Sequence, residues 1–227
     1  MKLHRERKEN IPIAVLQRLA NCSLSPVPLF EDVELTDSMI ADSGRLTAFF
    51  RILDDIAARR EKVVVFVQHF DVQDVVARAI RARYGLDHMP GKINGTMPPA
   101  ARQRVVTEFQ DGRPGFDAVV LTGRAAGTGL TLTAANHVVH LERWWNPAVE
   151  DQCSDRVYRI GQTKDVMVHV PLAVFREEVD PADSPFDVTL HQFLERKRSR
   201  SQSVLAPSSS GKGDQEFIES FFGQKAD

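Results

Sequence analysis

Two arginines, Arg156 and Arg159, stand three residues apart in a run that also holds Gln152, Asp155, Gly161 and Gln162. A guanidinium brought to a transferring phosphoryl group neutralises developing charge and can be worth ~10³ to 10⁵ in rate. Side chains three apart on a helix project from the same side. Asn146 followed by Pro147 reads as a cap and a first helical position. The expectation is a helix that starts beside Trp145 and aims both arginines at a phosphate, with Asp155 orienting one of them. The plain alternative is a solvated helix on which Asp155 pairs with Arg159.

Upstream, Gly123 to Leu130 (GRAAGTGL) follows an apolar run. Open α/β sheets bind ligands at such strand ends. Gly127 and Gly129 permit close backbone approach, and Thr128 adds a hydroxyl beside exposed amides. Alone, a GxG is more often a tight turn. The chain has no GxxxxGK[ST] phosphate loop: Gly91-Lys92 is followed by Ile93, and Gly211-Lys212 lies in a Ser-rich stretch. No Asp-Glu box follows an apolar strand to hold magnesium. Triphosphate and metal must be held elsewhere if this chain serves a phosphoryl transfer.

The elements that position these groups alternate between strand and helix. Ser43 offers a cap to a helix whose Leu46, Phe49, Phe50, Leu53, Ile56 and Ala57 form one stripe. Val63 to Val67 is a continuously apolar, largely β-branched run, as in a strand covered on both faces. Asp71 is expected to cap a helix burying Val72, Val75, Val76, Ala79 and Ile80. A weaker strand near His88 to Ile93 leads through Asn94-Gly95-Thr96 into a helix opened by Pro98-Pro99. Ala118 to Leu121, His137 to Leu141 and Val166 to Val170 complete the strands. Repeated βα units of this length imply a parallel sheet with helices on both faces.

Residues 1–42 read as an N-terminal extension with a possible helix from Ile13 to Asn21. Residues 43–175 form the α/β lobe, and 176–227 a C-terminal helical extension. In that extension Phe186, Leu190, Phe193 and Leu194 make a stripe, followed by a Ser/Gly linker and a last cluster at Phe217, Ile218, Phe221 and Phe222. Of the 227 residues, 42% are apolar, enough for a substantial core. No run reaches the about 18 apolar residues of a membrane span, so no membrane role is expected. The absence of a secretory signal points to the cytoplasm, near the nucleoid, or the nucleus. The two cysteines, Cys22 and Cys153, read as small packed thiols rather than a framework. A net charge of -2 gives no bulk electrostatic footprint for nucleic acid, so contacts with it would have to be local.

The spacing QxxDRxxRxGQ, preceded by HVVHLERWWNP and the glycine-rich loop, resembles motifs V and VI of the Swi/Snf-like helicase-related ATPases, DNA translocases of superfamily two. The likeness runs from about Ser43 to Pro171. It implies a RecA-like second lobe, joined in the complete enzyme to an N-terminal RecA-like lobe that holds ATP and Mg2+. By this resemblance Arg156 and Arg159 lie near the phosphates, with Arg159 the arginine finger, and Gly127, Thr128, Gly129, Gln152 and Asp155 attend the nucleotide. Double-stranded DNA would be met by Gln68, His69, Gly95, Thr96, Arg102, Arg124, Trp144 and Trp145, and the target could be a protein–DNA complex to be remodelled. The chain departs from the family's usual pattern at Val67, Arg124, Ala126, Glu142, Cys153 and Tyr158. Without a phosphate loop it is expected to be inactive alone. A free-standing, non-catalytic binding module is the alternative, and a strand-separating helicase is a weaker third reading.

Overall fold

The computed structural model describes residues 13–30, 32–122, 129–175 and 184–203. Helices α1 (Ile13–Leu24), α2 (Asp37–Ala41) and α3 (Gly44–Ala58) precede strand β1 (Lys62–Val67). Then come α4 (Phe70–Tyr84), β2 (Gly91–Ile93), α5 (Pro99–Asp111), β3 (Asp117–Thr122) and β4 (His137–His140). Helix α6 (Pro147–Ser154), β5 (Met167–His169) and α7 (Phe186–Ser203) follow. Arg124, Gly127, Thr128, the Ser/Gly linker and the Phe217–Phe222 cluster lie outside the described residues.

The five strands form one sheet in the order β2-β3-β1-β4-β5, and every pairing is parallel. Central β1 is buried along nearly its whole length, and the pleat divides its side chains between two cores. Val63, Val65 and Val67 face α3 and α4, joining Phe49, Phe50, Leu53, Ile56, Val75, Val76 and Ile80. Val64 and Phe66 point the other way, toward Val106 and Phe109 of α5, Cys153 of α6, and Leu130, Leu132 and Val157. This double burial is why the strand reads as an unbroken apolar run rather than an alternating one. The RecA-like expectation of a parallel sheet covered on both faces holds.

Local chemistry sets the helix starts. Ser43 caps α3 by accepting from the Leu46 amide at 3.0 Å. Helix α4 begins two residues earlier than expected, with His69 in the capping position and no side-chain cap bond. Asp71 is therefore not the cap. It sits inside the first turn, where a carboxylate still complements the helix dipole.

A third cluster ties the two ends of the described chain together. Leu16 of α1 packs with Leu190, Phe193 and Leu194 of α7, with Trp145 and Phe186 against them. Cys153 is buried as expected, whereas Cys22 is exposed, because its face of α1 looks away from that contact. Among the described residues, no helix is long and apolar enough to cross a membrane.

Candidate functional site

Register places the carboxyl ends of four strands at one edge. Val67 pairs with Thr122, Phe66 with His140, and Ile93 with Leu121. The segments carrying Gln68-His69, Asn94-Gly95-Thr96 and Glu142 to Trp145 all leave from that edge, where β3 ends at Thr122. This is the edge at which open parallel sheets bind ligands.

The arginine segment begins as expected and then diverges. Asn146 caps α6 by accepting from the Ala148 amide at 3.1 Å, with Pro147 in the first turn. The helix stops at Ser154, so Arg156 and Arg159 are not on it; they lie in the turn that follows. Two contacts stop the helix. The Leu132 amide donates to the Arg156 carbonyl at 2.9 Å, taking an acceptor a continuing helix would need. Gln162 Nε2 reaches the carbonyls of Thr133 at 3.2 Å, Ala135 at 2.7 Å and Val157 at 3.4 Å. Its Oε1 accepts from the Thr163 and Lys164 amides, each at 3.0 Å. Gly161, at φ 100°, makes a bend that a side chain would strain.

The turn separates the two guanidinium groups. Arg156 is 6% exposed, and its buried Nε has no hydrogen-bond partner. Burial, and then repulsion from Arg159, hold its pKa below the usual arginine value. Arg159 is half-buried. Its Nε donates to the Asp155 main-chain carbonyl at 3.1 Å, and the alternative of a surface pairing with the Asp155 carboxylate does not form. Its Nη1 donates to the Gly129 carbonyl at 3.1 Å and to Thr131 Oγ1 at 3.3 Å. Gly129 has φ 72°, a left-handed conformation that glycine adopts without strain. Arg159 thus lies against the far end of the glycine-rich segment. It lines an open cleft of about 780 Å³ together with Thr131, Tyr158, Ile160, Gln162 and Lys164. Gln152 and Asp155 are exposed.

At the strand ends, Glu142 organises two of the expected residues. Its Oε2 accepts from the Gln68 amide at 2.6 Å, and its Oε1 meets His69 Nδ1 at 2.9 Å. That hydrogen bond raises the His69 pKa above the ordinary histidine value, against a smaller opposing effect of burial. The Gln68 side-chain amide is taken up by the Arg143 carbonyl. Gly95 and Thr96 are exposed, with Asn94 Oδ1 accepting from the Thr96 amide at 3.2 Å and from its hydroxyl at 2.9 Å. Arg102 folds back on the Met97 carbonyl at 2.9 Å. The tryptophans divide their roles. Trp145 meets the Phe186 ring edge-on, with centroids 6.2 Å apart, whereas Trp144 keeps a buried Nε1 without a partner.

Two buried carboxylates escaped the sequence reading. Glu150, 0% exposed, pairs with Arg143 Nε at 2.7 Å and Nη2 at 2.8 Å, with Arg198 at 2.8 Å, and accepts from the Trp144 amide at 3.0 Å. Asp187 pairs with Arg45, accepts from Ser23 at 2.5 Å and from the Ala173 amide at 2.8 Å. Together they lock α7 onto the lobe and fix the tryptophan turn. The one signal available was a glutamate inside the apolar-facing part of α6.

Residues 45–161 match the family described as helicase conserved C-terminal domain. The chain is 35% identical to the Zorya protein ZorD of Escherichia coli over 80% of its own length and 16% of that protein's. It is 33% identical to YwqA of Bacillus subtilis over 77% of its length and 18% of that protein's. It spans, therefore, about a sixth of the length of these relatives. Among solved structures, the Sulfolobus solfataricus SWI2/SNF2 ATPase core in complex with dsDNA superposes with a TM-score of 0.67 at 27% identity, covering 92% of this chain and 41% of that one.

Proposed function

The chain belongs to the helicase conserved C-terminal domain family, as the C-terminal RecA-like lobe of a Snf2-type ATPase, and from that premise we propose that it completes an ATP-driven motor acting on double-stranded DNA. The observation that carries this reading is the accessible Arg159 guanidinium, held beside Gly129 in an open cleft. Arg156 lies behind it with an unsatisfied Nε. A buried guanidinium nitrogen without a partner is costly, and positive charge this close to the cleft favours an approaching anion such as a triphosphate.

In this reading a preceding lobe of the complete polypeptide holds ATP and Mg2+, and this lobe closes on it. Bound there, ATP would supply the phosphoryl group whose developing charge the arginines neutralise. Arg159 is the finger, with Arg156 adding positive charge from the interior. Gly129, and the loop carrying Gly127 and Thr128, would line the nucleotide side, with Gln152 and Asp155 at the margin. His69, Gly95, Thr96, Arg102, Arg124 and Trp144 would form the DNA side, with Gln68 and Trp145 acting mainly as supports. A relative solved with dsDNA supports double-stranded DNA as the partner. The chain lacks a phosphate loop, so alone it would not hydrolyse ATP.

The test is an ATPase assay on the full-length protein, with and without double-stranded DNA, beside a strand-displacement assay. DNA-stimulated hydrolysis that falls at least a hundredfold (~10²) in Arg159→Ala, with ATP binding retained and no strand displacement, is the expected outcome. Parental turnover in Arg159→Ala removes the finger assignment. Hydrolysis by this chain alone removes the two-lobe reading.

A further inference from the structure

The turn that carries Arg159 shows an uncommon exposure pattern. Arg156 and Val157 are buried, but the flanking Tyr158 is 74% exposed and Ile160 is 103% exposed. An isoleucine more open than in an extended chain is ordinary in a mobile loop. This turn is not loosely held. Gln162 ties it from below to three carbonyls and two amides, the Tyr158 amide bonds the Ser154 carbonyl at 3.2 Å, and the Gln162 amide bonds the Arg159 carbonyl at 2.9 Å. Lys164, on the same rim, is already paired with Glu61 at 3.0 Å. The backbone therefore holds two apolar side chains out in water on either side of a polar group.

We infer that Tyr158 and Ile160 form an apolar collar that docks onto the first lobe of the same polypeptide when the cleft closes, sealing water from the Arg159 guanidinium. This inference rests on the two-lobe reading above. The occupant is assigned to that lobe on two grounds. The chain covers only 41% of the dsDNA-bound ATPase core it superposes on, so most of such a core lies outside it. Tyr158 and Ile160 also line the same cleft as the arginine proposed to reach across, so a surface that closes on Arg159 meets them as well. Apolar groups ringing a polar contact exclude water and strengthen the charge interaction inside.

The collar and the finger are separable by experiment. In the full-length protein, a donor and an acceptor dye on the two lobes report closure on addition of a non-hydrolysable ATP analogue. Ile160→Ser raises the analogue concentration needed for half-closure by roughly tenfold or more, the effect expected from losing an isoleucine-sized buried surface. Ile160→Val recovers most of it, and Tyr158→Ala shifts in the same direction. Arg159→Ala loses hydrolysis even at ATP concentrations that close the cleft. Because Ile160 is fully exposed in the free lobe, the serine variant keeps the parental unfolding midpoint. If the parent closes and Ile160→Ser closes at the same concentration, the collar is wrong and the two-lobe reading stands. If the parent does not close at all, both fall. A parent chain that dimerises in sedimentation, with the dimer abolished by Ile160→Ser, assigns the surface to a second copy and overturns the inference.

Discussion

The Glu150 carboxylate and the Arg143 guanidinium face each other in a two-bond fork at 2.7 and 2.8 Å, and each residue is at most 6% exposed. Arg143 lies three residues beyond β4 and Glu150 lies on α6, so this pair sets the angle at which the helix leaves the sheet edge. A fork of this kind is stabilising only as a complete unit, because either charge left alone in the interior is strongly unfavourable. Glu150→Ala is expected to destabilise the chain by about 3 to 5 kcal/mol, measured by urea unfolding. Arg198→Ala leaves the fork intact and removes a partly exposed partner, so it should cost clearly less. Equal losses in the two variants would mean that α7, not the fork, holds the helix.

Arg156 predicts the reverse relation between stability and activity. Its guanidinium is buried with an unpartnered Nε and lies close enough to Arg159 for repulsion to lower its pKa. Replacing it by methionine keeps an unbranched apolar stem and removes an unsatisfied polar group. Arg156→Met should therefore leave the isolated chain as stable as the parent or more so, while ATP hydrolysis by the full-length protein falls. A lower unfolding midpoint would show that Arg156 contributes to the fold rather than being tolerated for its chemistry.

Much of this architecture can be read locally. β1 declares itself because five consecutive residues from Val63 to Val67 are apolar and both faces are covered. α3 does so because Leu46, Phe49, Phe50, Leu53 and Ile56 repeat at helical spacing. Asn146-Pro147 marks the start of α6 by its capping chemistry alone. The end of that helix is not legible locally, since Arg156 and Arg159 keep a helical spacing although the backbone has already left the helix. What stops it is the Leu132 amide and the Gln162 side chain, contacts made across 24 to 29 residues of sequence. Asp187 with Arg45, and Glu150 with Arg198, were invisible for the same reason: a single long-range ion pair leaves no periodic trace. The α4 start shifted because histidine in the capping position, with no side-chain bond, carries no capping signal.

His140 makes acid sensitivity testable. The ring is 1% exposed and stacked on Phe66, its Nε2 lies 3.0 Å from Ser154 Oγ, and its Nδ1 has no partner. Burial lowers its pKa from 6.5 to about 4, with nearby Arg143 and Arg198 acting in the same direction and Glu150 opposing them. In the unfolded chain the ring takes a proton near its ordinary value, whereas in the folded chain it does not. Its contribution is therefore complete above about pH 6.5 and declines as pH falls toward 4. The loss could reach ~3 kcal/mol. His140→Phe should flatten the stability profile between pH 7 and 4.5, as read from urea midpoints across that range. A parental slope in the variant would place the acid-sensitive group elsewhere.

Gln162 closes the turn that presents Arg159, and its amide is used at both ends. Nε2 donates to the Thr133, Ala135 and Val157 carbonyls, while Oε1 accepts from the Thr163 and Lys164 amides. Gln162→Ala leaves those groups to find water or go unpaired, which should cost about 1 to 3 kcal/mol. Gln162→Glu keeps the acceptor but points a second carboxylate oxygen at three carbonyls that need a donor. At neutral pH it should cost at least as much as alanine. Hydrogen exchange at the Thr163 and Lys164 amides separates the two: both speed up in Gln162→Ala, whereas Gln162→Glu protects them while losing global stability. A glutamate variant as stable as the parent would mean that the three carbonyl contacts contribute nothing, and that the turn is shaped by Gly161 alone.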